Sequence, residues 1–154
     1  MTVDRASRRA VAVAAVVVIV DQATKQLVRS SIAFGETRHV LPGLTLVRAD
    51  NSGVAFSLLT GSEIVVILVT LAVVAMVVAY FARQRERRWM WLACGLIVGG
   101  ALGNLLDRVR EGAVTDFIKL PHWPAFNLAD TAITLGVLTL FLVLGRGGAS
   151  TRPA

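Results

Sequence analysis

The sequence predicts an all-α membrane protein, with four transmembrane helices and a small β-cradle or hairpin on the extracytoplasmic surface. Three observations predict it. The 154-residue chain is 55% hydrophobic, with a mean hydropathy of +0.68. Its charged residues, 17% of the total, gather between long apolar runs. Those runs approach the roughly 20 residues that a helix needs to cross about 30 Å of hydrocarbon. The length suits one polytopic domain over residues 1–154. The net charge of +6 would fit nucleic acid. Basic residues that flank apolar runs are better explained as topology signals, so no nucleic-acid partner is expected. Cys94 is the one cysteine, so no intrachain disulfide forms and no metal cluster is indicated. The stretch "WLACG" around it faintly resembles a lipoprotein cleavage box, but it lies mid-chain, and Cys94 is expected to pack.

The first span is expected over about 10–28. Its apolar part, "AVAVAAVVVIV", is short and follows "RASRR", which would also fit a cleavable signal peptide. No A-x-A site follows, and "DQATKQLV" continues a helical pattern, so a retained anchor is expected. The next stretch is too long for a simple turn. In it "LTLVRA" alternates, "DNSG" signals a turn and "VAFSLL" follows. This predicts a β segment over about 35–62, paired as a hairpin around "DNSG". Spans two and three are expected at 64–82 and 89–106. The segment "EGAVTDFIKL", Glu111 to Leu120, looks extended before Pro121 and Pro124 break the chain. Span four is expected over 127–144, and the Gly-rich tail 146–154 is expected to be disordered.

Orientation follows from the basic flanks. Arg5, Arg8 and Arg9 precede span one, Arg83, Arg85, Arg87 and Arg88 link spans two and three, and Arg146 and Arg152 follow span four. With four spans all of these share one side, which the positive-inside rule makes cytoplasmic. Both termini are then inside. Tyr80, Phe81, Trp89 and Trp91 fit an inner aromatic belt, and Phe117, Trp123 and Phe126 an outer one.

Two acids near the outer end demand a reason, because an ionised carboxylate in a bilayer is costly. Asn127 and Asp130 are three apart and share a helix face, with Thr131 and Thr134 nearby. A helix N-cap accounts for Asn127 but not for Asp130. Asp116 alone would pass for a solvated loop acid. Paired with Asp130 in one partly desolvated pocket it would share a proton. Such a dyad suits hydrolysis: one carboxylate activates water while its protonated partner polarises the carbonyl. Neither a metal nor a cofactor is called for.

The remaining polar residues are weaker candidates. Asp21 and Lys25 are i,i+4 and read as an intramembrane ion pair. "GNLLDR" puts Asn104, Asp107 and Arg108 on one face, where Arg108 could hold Asp107, hydrogen-bond the chain or meet a lipid phosphate. His39 and His122 lack ligand spacing. Ser52, Ser57 and Ser62 have no base except Lys25. Gly95, Gly99 and Gly103, spaced by four, favour close helix packing in lipid.

Taken in order, "NSGVAF" (Asn51 to Phe56), "GNLLDR" (Gly103 to Arg108), "GAVTDF" (Gly112 to Phe117) and "FNLAD" (Phe126 to Asp130) resemble the bacterial lipoprotein signal peptidases, signal peptidase II. The resemblance covers most of the chain from "DQATK" onward. It implies an intramembrane aspartic endopeptidase of the bacterial inner membrane, acting on prolipoproteins that already carry diacylglycerol on the lipobox cysteine. The cut falls just before that cysteine. The family's catalytic pair falls on Asp116 and Asp130, and its supporting residues on Asp21, Lys25, Asn51, Asn104, Asp107, Arg108, Asn127 and Ala129. Cyclic peptide antibiotics such as globomycin are implied as inhibitors, and membrane lipids as partners. Val54 departs from the alanine of many members.

The sequence also admits two rival readings. A proton-coupled carrier also keeps charges in its spans. Here, however, the polar residues cluster at one end rather than forming a path. A structural subunit explains the glycines but not the acids.

Overall fold

The chain starts its first helix at Asp4, whose Oδ1 accepts the Ser7 N–H at 2.9 Å and so satisfies one of the donors left open at a helix start. The computed structural model describes residues 4–52 and 63–147. Helix α1 spans Arg5–Ser31, α2 Glu63–Gln84, α3 Met90–Glu111 and α4 Leu128–Gly147. All four are long and apolar enough to cross a membrane. Each is longer than its apolar centre predicted. Hydropathy finds the lipid-facing middle of a helix, whereas "RASRR" and "KQLVRSS" continue α1 on both sides with polar residues. The tail expected to be disordered from 146 begins inside α4, and residues 148–154 lie outside the described residues.

Helix α3 is the centre of the bundle. The glycine stripe works as expected on one side of it. A Cβ at Gly95 would lie 2.9 Å from Val13 Cβ, and one at Gly99 would lie 2.8 Å from Val17 Cβ, so α1 seats directly on the α3 backbone. On the opposite side Gly100 lies against the Ala129 carbonyl, and Gly136 of α4 against Ala93 and Ile97. Helix α2 stands apart. It packs on α3, and none of its apolar core is buried inside the protein. Ile64, Leu68 and Met76 point outward, as suits a helix solvated by lipid.

A three-stranded antiparallel sheet caps one end, in the order β1 (Thr37–Leu41), β2 (Leu44–Asn51) and β3 (Val114–Lys119). A hairpin is present with its turn elsewhere; of "DNSG", Asp50 and Asn51 lie in β2 and Gly53 lies outside the described residues. Leu41 pairs with Leu44, so β1 and β2 turn through Pro42 and Gly43, with Gly43 at φ +82°. The strand expected over 54–59, with Val54, lies outside the described residues. The extended segment expected near Glu111 to Leu120 is β3, whose Asp116 lies opposite Ala49 of β2. Val28, Ile32 and Phe117 form a small core that ties the sheet to α1. Phe117 is therefore an inward anchor rather than part of an aromatic belt, while Trp123 is exposed.

Candidate active site

The site lies where β3 and the start of α4 meet the sheet-side end of α3. Asn127 precedes α4 and caps it. Its Oδ1 accepts the Asp130 N–H at 3.0 Å, and Asp130 Oδ2 accepts the Asn127 N–H at 3.2 Å. This reciprocal capping box fixes the Asp130 carboxylate one turn into the helix. The Asn127 side-chain amide then points away from α4. Its Nδ2 donates to Asp116 Oδ1 at 2.7 Å and to Asn104 Oδ1 at 3.1 Å. Asn104 on α3 in turn donates from Nδ2 to Asp130 Oδ1 at 2.8 Å. Asn51, at the end of β2, donates to Asp116 Oδ2 at 3.0 Å. Asp116 and Asp130 are thus brought together by one asparagine, and side-chain amides bind both.

Burial pushes the Asp116 carboxyl up to about 6. The Asn51 and Asn127 amides pull in the opposite direction, and the charge of Asp130 adds to the rise. A carboxyl in this range exchanges its proton near neutral pH, as general acid–base chemistry requires.

Beneath the pair sits a second, fully buried cluster. Lys25 Nζ lies 2.9 Å from Asp21 Oδ2 and 2.9 Å from Asp107 Oδ2, and it donates to Asn104 Oδ1 at 2.8 Å. Asp21 Oδ1 accepts the Ala129 N–H at 3.0 Å, another donor of the first turn of α4. Asp107 Oδ2 accepts the Thr115 N–H at 3.1 Å, next door to Asp116. The ion pair expected between Asp21 and Lys25 is present, with Asp107 as its third member. Arg108 does not hold Asp107. Its Nη1 is 3.4 Å from the Asn104 carbonyl of its own helix, and it borders a cavity of about 210 Å³ between α2, α3 and α4. Val69, Thr70, Val73 and Asn104 also line that cavity. The ammonium of Lys25 is committed to carboxylates and an amide rather than to a serine. Ser57 and Ser62 lie outside the described residues.

Sequence reasoning missed two participants. Gln22 Nε2 donates to Asp107 Oδ1 at 2.9 Å and to the Gly103 carbonyl at 3.1 Å, clasping α1 to α3. Arg29 Nη1 donates to Thr115 Oγ1 at 3.0 Å and approaches Asp107 Oδ1 at 3.6 Å. Gln22 sits inside "DQATK" beside Asp21, and Arg29 lies four residues after Lys25 on the same face, which are the local signals that point to them. Among the described residues, no three His, Cys, Asp or Glu side chains converge as a metal-ligand set.

A family model for signal peptidase II matches residues 13–145. The chain belongs to the signal peptidase II family. A lipoprotein signal peptidase of Syntrophomonas wolfei is 43% identical over 140 residues, covering 90% of this chain and 94% of that one. One from Halothermothrix orenii is 36% identical over 130 residues, covering 84% and 90%. Two solved bacterial membrane enzymes share the fold. One has a TM-score of 0.84 at 30% identity over 94% of this chain and 92% of that one. The other has a TM-score of 0.80 at 31% identity, over 88% and 91%. As a member of signal peptidase II, the chain is a multi-pass membrane peptidase.

Proposed function

We propose that the chain is an intramembrane aspartic endopeptidase that removes signal peptides from diacylglyceryl-modified prolipoproteins, cutting just before the lipidated cysteine. The observation that carries this reading is that Asp116 and Asp130 both accept hydrogen bonds from Asn127, and that Asn104, which donates to Asp130, lines a cavity between helices. In the proposed reaction Asp116 enters protonated, a state that its upward shift to about 6 makes more accessible than for an ordinary carboxyl. Asp130 takes a proton from water as the water oxygen bonds to the scissile carbonyl carbon, and Asp116 protonates the carbonyl oxygen. The tetrahedral intermediate collapses when the peptide C–N bond breaks. The proton on Asp130 then passes to the leaving cysteine nitrogen, while Asp116 recovers its own proton as the carbonyl re-forms. Lys25, Asp21 and Asp107 hold Asn104 and the start of α4 in place. Asn51 and Asn127 orient Asp116, and Arg108 borders the substrate's path.

The same reading puts both termini in the cytoplasm of a bacterial cell and the sheet end, with the site, at the outer face of its membrane. Arginines 5, 8, 9, 83, 85, 87 and 88 at the end away from the sheet support this orientation. Cyclic peptides such as globomycin would occupy the substrate position. The test is cleavage, in detergent and by protein purified alone, of a lipobox peptide with and without diacylglycerol. Cleavage of the lipidated peptide is expected, with little of the bare one. No cleavage by pure protein, or equal cleavage of both, overturns the reading.

A further inference from the structure

A second cavity, of about 310 Å³, lies between α1, α2 and α3 at the end of the bundle away from the sheet. Ala10, Val11 and Ala14 of α1, Val78 and Phe81 of α2, and Cys94 of α3 line it. All of these are apolar or nearly so, and such a space stays dry. The charged lining residue is Arg85, just beyond the end of α2, and Ser7 in the first turn of α1 stands with it. Both mark the mouth at the helix ends. Arg85 is only loosely engaged. Its Nη1 is 3.3 Å from Asp4 Oδ2, its Nε is 3.9 Å from Glu86 Oε1, and half its surface is exposed. At this end of the bundle Arg5, Arg8, Arg9, Arg83, Arg87 and Arg88 are exposed, and among the described residues there Asp4 and Glu86 are the acids that oppose them.

An apolar slot between membrane helices, closed by a guanidinium in a field of positive charge, has the chemistry of one ligand. We infer that it binds a single anionic diacyl phospholipid, with an acyl chain between α1 and α2 and the phosphate on Arg85. Basic pockets between helices take anionic headgroups in this way. A zwitterionic lipid would gain nothing from the surplus positive charge. A peptide with a basic N-terminal segment would be repelled by the same arginines. The lipid fills space that α2 otherwise leaves unpacked. The inference depends on the proposed orientation only for which leaflet supplies the lipid, and its test reads binding rather than cleavage.

The experiment is native mass spectrometry of the full chain, titrated with dioleoyl phosphatidylglycerol or dioleoyl phosphatidylcholine. One phosphatidylglycerol per chain should be retained in preference to phosphatidylcholine. Arg85→Gln should weaken that binding about 5-fold, the share of one basic side chain at an anionic surface. Ala82→Phe, on an exposed lining position of α2, should fill the slot and remove the bound lipid. Arg83→Gln, equally basic and close but outside the slot, should leave binding unchanged. Equal retention of the two lipids, an Arg83→Gln effect as large as that of Arg85→Gln, or displacement of the lipid by a synthetic signal peptide would each overturn the inference.

Discussion

Two pairs of acids sit within a few residues of each other in space, and the protein treats them in opposite ways. Asp21 and Asp107 flank the Lys25 ammonium at 2.9 Å each, in a cluster with almost no exposed surface. Asp116 and Asp130 are held by amides, from Asn51, Asn104 and Asn127. An ammonium holds a carboxylate as an ion pair, whereas a neutral amide orients it through hydrogen bonds alone. The first pair therefore reads as architecture and the second as chemistry. The acids look alike in the sequence, and only the identity of the partner separates them.

The sharpest way to break that contrast is to neutralise each acid. Asp116→Asn and Asp130→Asn should each lower cleavage of a diacylglyceryl prolipoprotein by about 10²- to 10⁴-fold. The protein should still insert and accumulate, because Asn keeps the shape and removes a desolvation cost. The double variant should be little worse than either single one, since the two act as a unit. Activity assayed in membranes with matched protein levels decides it. If Asp116→Asn turns over normally, the dyad is wrong.

The opposite pattern is expected beneath. Lys25→Met leaves two buried carboxylates facing each other and should cost about 3–5 kcal/mol of stability, seen as a large fall in thermal unfolding temperature in detergent. Adding Asp21→Asn or Asp107→Asn should recover part of that loss. Strict additivity would mean that these side chains do not interact.

Packing offers a third, smaller test. Gly99→Leu must push α1 from the α3 backbone, where a Cβ already meets Ala14 Cα at 2.9 Å. A loss of about 1–3 kcal/mol is expected, with activity reduced in proportion to folded protein.

The smallest effect concerns pH. The Asp116 carboxyl keeps its proton below about 6 and loses it above, so kcat/KM, which reports the free enzyme, should fall as pH rises through that value. Asn51→Ala removes a donor that favours the ionised form, so the alkaline limb should move to higher pH. A shift to lower pH would show that Asn51 does not hold Asp116 as described.

The helices and the acids were legible because both signals are local. A long uncharged run such as Ile64 to Ala82 announces a span, and "FNLAD" places Asn127 and Asp130 on one face. The sheet was less legible. All five residues of β1 are exposed, so that strand has no inside–outside alternation to detect, and "DNSG" outcompeted Pro42 and Gly43 as a turn signal. The pairing of β2 with β3 joins segments far apart in the chain, and it alone brings Asn51 to Asp116. Likewise "DQATK" predicted one acid for Lys25. The second arrives from α3, through helix packing that no local pattern encodes.

The capping box at Asn127 has a consequence for how the enzyme fails on warming. The same side chain starts α4 and holds Asp116, and the same carboxylate that closes the box is Asp130. Fraying of a single helical turn would therefore scatter both acids at once while the remaining helices stay assembled. Inactivation should be a local, reversible melting event that precedes global unfolding, with hydrogen exchange at the Asp130 and Thr131 amides keeping step with the loss of turnover.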